Sequence, residues 1–146
     1  MKCFLKKQQG FTLLEALLTL FVVCALVLLP IVNFQRSTAR LEATNFINKL
    51  QSELYYLQNY AMLKGSPTQF IIYPSMRRVR CVTAEARYDI EFPPAIERIG
   101  HAVKHYKFEP HTGNLGNFDR FEVKTTEDRY YFKFQLGSGR FNVEKQ

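Results

Sequence analysis

The sequence has few cysteines, and their positions exclude two common scaffolds. There are three, Cys3, Cys24 and Cys81. Cys3 lies in a basic head and Cys24 in an apolar run, so only Cys81 belongs to the soluble part. No disulfide can close inside that part, which leaves Cys81 buried or free, or joined to another chain. No zinc-type cysteine spacing occurs. There is no tandem repeat and no low-complexity linker. Catalytic groupings are missing too: no Ser, His and acid constellation suggests itself, nor a paired-carboxylate site. Ser138 has glycine on both sides in "GSGR", but it falls in an expected hairpin, not in the strand-turn-helix motif G-x-S-x-G. His101 and His105 are four apart, a spacing that binds metal on a helix, yet no third ligand accompanies them and the segment leads into a strand. His111 falls in a turn-like loop. Neither an enzyme nor a cofactor is expected.

What is present is unevenly distributed. The chain has 146 residues, enough for one domain and one anchor segment. It is 47% hydrophobic, but its mean hydropathy is only −0.20. Ala16 to Gln35 contains no charge, and Glu15 and Arg36 bound it. At a rise of about 1.5 Å per residue such a run matches a hydrocarbon core of about 30 Å. Lys2, Lys6 and Lys7 precede it. The net charge is +7, and the part from Arg36 onward is mildly basic. That permits contact with nucleic acid or an anionic surface without demanding either.

The N-terminal segment admits three processing schemes. A secretory signal is cut at small residues after its apolar core, and "LLPIVNFQ" offers no such site. A lipoprotein signal needs a small residue before its cysteine, and Val23 precedes Cys24. A plain signal anchor fits the length and the lysines, with the head kept in the cytoplasm and the C-terminal domain outside. It does not explain "QGFTLLE", because an intramembrane carboxylate is costly and calls for a partner.

Gly10, Phe11, Thr12, Leu13, Leu14 and Glu15, followed by the apolar run, resemble the class III signal of type IV prepilins and pseudopilins. The resemblance implies that a prepilin peptidase cuts after Gly10 and methylates the new amine of Phe11. Glu15 becomes the fifth residue of the mature chain. Carboxylates are favoured near helix N-termini, and in a filament Glu15 would pair with the Phe11 amine of a neighbouring subunit. The alternative is a Glu15 solvated at the cytoplasmic interface.

Beyond the apolar run, Ala39, Ala43, Phe46, Ile47, Leu50, Leu54, Leu57 and Ala61 recur at steps of three and four. That stripe predicts an amphipathic continuation of the helix, whose face needs a sheet to cover it. Gly65 and Pro67 end it. Alternating runs follow: "TQFIIY", "VRCVT", "RYDIEF", "KHYKFE", "RFEVK", "RYYFKFQL" and "RFNV". Five or more short strands with tight turns predict an antiparallel sheet. The expected fold is α+β: leader 1–10, transmembrane and filament-core helix 11–35, and an extracellular head 36–146 in which the helix packs on the sheet.

The tail "FQLGSGRFNVEKQ" resembles the C-terminus of ComGD-type competence pseudopilins, minor pseudopilins of Gram-positive DNA-uptake systems. The resemblance implies a cell-surface filament made with a major and other minor pseudopilins, an assembly ATPase and a membrane platform protein. Related tails in type II secretion-like minor pseudopilins leave the system open. Two other readings stand beside it, a simple signal-anchored surface protein and a DNA-contacting receptor subunit. For the latter the candidates are Arg77, Arg78 and Arg80, the densest basic cluster, with Arg140. Arg120 and Arg129 lie near other strand starts, and Tyr131 could stack a base. Ordinary surface charge is the plain alternative.

Overall fold

The computed structural model describes residues 12–116, 119–135 and 137–146; side chains of residues 27–36 fall outside that description. The chain divides into two compact units, Met1–Thr38 and Ala39–Gln146. One helix, α1, spans Leu13–Lys64. Its start is set by Thr12, whose carbonyl accepts from Ala16 N–H at 3.1 Å and whose Oγ1 accepts from Glu15 N–H at 3.3 Å. A threonine there satisfies amides that lack a partner within the helix. Its end is set by Gly65, at φ +61°, the left-handed conformation that glycine adopts at no steric cost. The last turns have further partners. Thr68 Oγ1 donates to the Leu57 carbonyl at 2.9 Å, and His111 N–H donates to the Ala61 carbonyl at 3.0 Å.

Within the second unit eight strands follow: β1 (Thr68–Tyr73), β2 (Arg78–Val82), β3 (Arg87–Glu91), β4 (Ile96–Ile99), β5 (Lys104–Phe108), β6 (Phe121–Thr125), β7 (Arg129–Phe134) and β8 (Phe141–Lys145). They form two four-stranded sheets, ordered β3-β2-β1-β5 and β4-β6-β7-β8. Every pairing is antiparallel. The architecture is therefore α+β, a helix on antiparallel sheet, but the sheet is divided in two. The division falls at Gly100, φ +61°. Before it, Ile99 lies opposite Val123 of β6; after it, Tyr106 lies opposite Phe70 of β1.

Both sheets share one core with the helix. Leu50, Leu54, Leu57 and Ala61 of α1 are fully buried, as the stripe predicts. Burying each leucine stabilises the fold by about 1.5–3 kcal/mol. A run of rings crosses from sheet to sheet. Phe70 of β1 lies 6.0 Å from Phe121 of β6, and Phe121 stacks on Phe132 of β7 at 4.5 Å. Tyr106 of β5 sits 4.8 Å from Phe134. The Tyr106 hydroxyl reaches out of this core to donate to the Asp119 carbonyl at 2.8 Å. Cys81 faces the same interior and is fully buried, so no thiol of another chain reaches it in this fold. Burial pushes its pKa up to about 12.

Candidate functional site

The N-terminal end of α1 comes first. Gly10 and Phe11 lie outside the described residues. Glu15 sits in the first helical turn, exposed, with its amide held by the Thr12 hydroxyl. That position sets a carboxylate at the positive end of the helix dipole. From Leu13 to Leu26 the helix exposes Leu13, Leu17, Leu18, Leu20, Phe21 and Leu26, each at 57% or more. Leu17, Leu18, Leu26, Val23 and Leu20 fall at about 0, 100, 180, 240 and 300° around a 3.6-residue helix and all are exposed, so this stretch is apolar all round. Bare apolar surface of this extent belongs against another surface. Among the described residues no helix is long and apolar enough to cross a membrane. The second half of the expected span, residues 27–35, lies outside the described side chains.

In the second unit the three neighbouring arginines have partners within the chain. Arg77, at φ +49° in the β1–β2 turn, donates to the carbonyls of Ile96, Glu97 and Pro93 at 2.9, 3.2 and 3.3 Å. It also covers the Phe92 ring at 5.9 Å. It ties the first sheet to the start of β4 in the second. Arg80 makes a two-pronged pair with Asp89, Nε to Oδ1 at 2.7 Å and Nη2 to Oδ2 at 3.0 Å. Arg78 reaches the same carboxylate at 3.1 Å. The hydrogen bonds from Arg80 hold the Asp89 carboxyl below the usual carboxylate range. An incoming phosphate would have to displace Asp89 from both. Arg140 is different: it is exposed, and its guanidinium has no partner among the described residues.

Arg140 belongs to the tail turn, which the structure explains. Gly137 and Gly139 have φ of +75° and +62°. A Cβ on Gly139 would sit 2.1 Å from the Gly113 carbonyl oxygen and 2.7 Å from Gln58 Nε2. The space is taken because Gln58, a buried amide on α1, donates to the carbonyls of Gly113 at 3.2 Å and Ser138 at 3.0 Å. One helical glutamine thus holds two distant turns. The sequence signal was a glutamine at the edge of the apolar stripe, one residue after Leu57.

The N-terminal sequence has a counterpart among known proteins, over residues 5–29. The chain carries a prokaryotic N-terminal methylation motif. No curated protein and no solved structure matches the chain. The methylation motif supports a type IV pilin-like protein, and it indicates a structural subunit of a surface filament rather than an enzyme. It spans the Lys-rich approach, Gly10, Phe11, Glu15 and most of the apolar run, and ends before Pro30. It says nothing of the unit Ala39–Gln146.

That unit carries the remaining candidates. His105 lies exposed on β5 and His101 in the preceding loop, where its Nε2 is 3.9 Å from Glu122 Oε2. The two do not share a helix. Among the described residues no group of three or more His, Cys, Asp or Glu side chains could hold a metal ion. Arg120 and Tyr131 meet, with the guanidinium 5.9 Å from the ring centre. Arg129 approaches Glu122 at 3.8 Å. A contact absent from the sequence reading is Tyr88 on Glu53, the phenol donating at 2.6 Å to pin β3 to the helix. Burial and that carboxylate raise the pKa of the phenol.

Proposed function

We propose that this chain is a minor pseudopilin of a competence DNA-uptake filament. It is made as a membrane-inserted precursor, cut after Gly10 and methylated on Phe11. It then joins or primes a surface filament of other pseudopilins, with help from a peptidase, an assembly ATPase and a membrane platform. The observation that carries this reading is the methylation motif at residues 5–29 leading into an all-round apolar helix that continues into an α+β unit. The helix supplies packing surface at one end and the core of the head at the other. The tail "GSGRFNV", with its Gly139 turn seated on Gln58, supports the competence assignment through its resemblance to the tails of such subunits.

Glu15 has a defined role in this scheme. Cleavage creates a cationic amine on Phe11, and a neighbouring subunit's Glu15 neutralises it. Pairing offsets the cost of taking both charges into an apolar bundle. Mass spectrometry of the chain recovered from its native membrane tests the proposal. The expected product begins at N-methylated Phe11; a product that begins at Met1 sinks it.

A further inference from the structure

Among the described residues strand β8 has one neighbour, β7, and one open edge. Arg129 and Gln146 exchange two backbone hydrogen bonds, at 3.0 and 2.8 Å. Such pairs alternate along an antiparallel ladder. Asn142 and Glu144, in register with Lys133 and Tyr131, therefore direct their N–H and C=O groups to β7. Those of Phe141, Val143 and Lys145 point out of the edge. The same strand forms one wall of a groove whose other wall is α1. The larger part, about 710 Å³, lies between Tyr55, Gln58 and Asn59 on the helix and Gln135, Ser138 and Arg140 on the tail turn. A smaller hollow, about 160 Å³, lies beside β8 between Gln51, Tyr55, Asn142 and Val143, and the Tyr55 and Phe141 rings, 4.6 Å apart, line both parts. Among the described residues Arg140 is the only charged side chain lining either part. The rest of the polar lining is amide and hydroxyl, groups that both donate and accept.

We propose that this groove takes an extended peptide segment of a partner protein, added as a fifth strand to β8 with a carboxylate side chain on Arg140. Main-chain bonds to Phe141, Val143 and Lys145 give the affinity, as in strand addition at other open sheet edges. The five residues of β8 accommodate about 17 Å of partner strand. The amides of Gln51, Asn59 and Gln135 take up the polar groups on the segment's other side. The single unpaired cation selects an acidic side chain. It does not suit a nucleic acid, whose binding rests on several phosphate contacts.

The test uses the full chain in detergent micelles. The probe is a fluorescein-labelled ten-residue peptide of alternating valine and threonine with one central glutamate. Anisotropy is expected to show saturable binding, with slowed hydrogen exchange at the amides of Phe141, Val143 and Lys145. N-methylating alternate peptide amides should weaken binding tenfold or more. Arg140→Gln, or glutamine for the peptide's glutamate, should weaken it about fivefold. Val143→Pro removes an outward N–H and no bond to β7, a position where a sheet edge tolerates proline. It should keep the thermal transition and lose the peptide; if it unfolds, the N-methylated peptide decides alone. Absence of binding, indifference to N-methylation, or protection elsewhere overturns the proposal. So does Arg140-dependent binding of a twelve-residue oligothymidine without binding of the peptide, which would make the groove a nucleic-acid site.

Discussion

Glu15 and Arg77 are both charged residues at an edge, one at the start of a helix and one in a turn, and they do opposite jobs. Glu15 has no role in holding the described fold beyond its backbone amide, so replacing it should leave the head intact. Glu15→Val is expected to be processed like the parent chain but to enter filaments several-fold less, read by immunoblotting of sheared surface fractions. Normal incorporation would remove the pairing role proposed for its carboxylate. Arg77 is built into the fold. Hydrogen bonds from a charged donor contribute about 1.5–3 kcal/mol, and its guanidinium serves three carbonyls at once. Arg77→Ala should destabilise the chain by about 2–3 kcal/mol in urea denaturation, whereas Arg140→Ala should change stability by less than about 0.5 kcal/mol. The two are indistinguishable as sequence, each a basic residue in a turn. What separates them is the chain that returns past Arg77, the segment from Pro93 to Glu97, and nothing local announces that approach.

At the scale of elements, the tail turn shows how a short motif acquires meaning from what packs on it. Both of its glycines need a left-handed backbone, but only Gly139 is also crowded. Alanine at Gly137, with nothing within 4 Å of its Cβ, should cost about 1–2 kcal/mol, the penalty of the conformation alone. Gly139→Ala adds a collision with the Gly113 carbonyl, for a loss of about 2–4 kcal/mol. Thermal unfolding of the two variants checks the difference. Most elements were legible: the helix stripe, the Gly65 stop and seven of the strands follow from period and turn residues. Strand β4 was not. Two prolines precede it, and in Ile96–Ile99 the ends are buried and the middle is not, which breaks the alternation. The division into two sheets was equally hidden, because it depends on β5 choosing the edge of β1 over that of β6. Periodicity reports which face is buried and is silent about the neighbour. In the N-terminal segment the resemblance of Gly10 to Glu15, with the apolar run after it, to a prepilin signal agrees with the methylation motif over residues 5–29. The peptide groove could not have been read there, since its walls come from residues some 80 apart in the chain.

For the molecule as a whole, Cys81 reports on the integrity of the core. Its thiol pKa is raised from an unfolded value of about 8.5 to about 12 by burial. A group raised in this way stabilises the fold fully below the unfolded value. That contribution is lost as pH climbs from about 8.5 towards 12, since the unfolded chain ionises first. Native protein treated with iodoacetamide at neutral pH should therefore be spared at Cys81. In denaturant Cys81 should react, as peptide mapping would show. Cys81→Ala should flatten the alkaline fall in stability. Reaction of Cys81 in the native state at neutral pH would place it outside the core described above.

The bonds from Gln58 to the carbonyls of Gly113 and Ser138 span 55 and 80 residues, and this sets a timetable. A ribosome adds about 5–20 residues per second, so Gln58 waits about 4–16 s for its second acceptor to be made. During most of that interval the stripe of Leu50, Leu54 and Leu57 has been synthesised while the second sheet, β4-β6-β7-β8, is incomplete. The newborn chain therefore passes through a stage in which a sticky helix has at most its first sheet to cover it, and whatever shelters the rest then governs how much finished subunit the cell obtains.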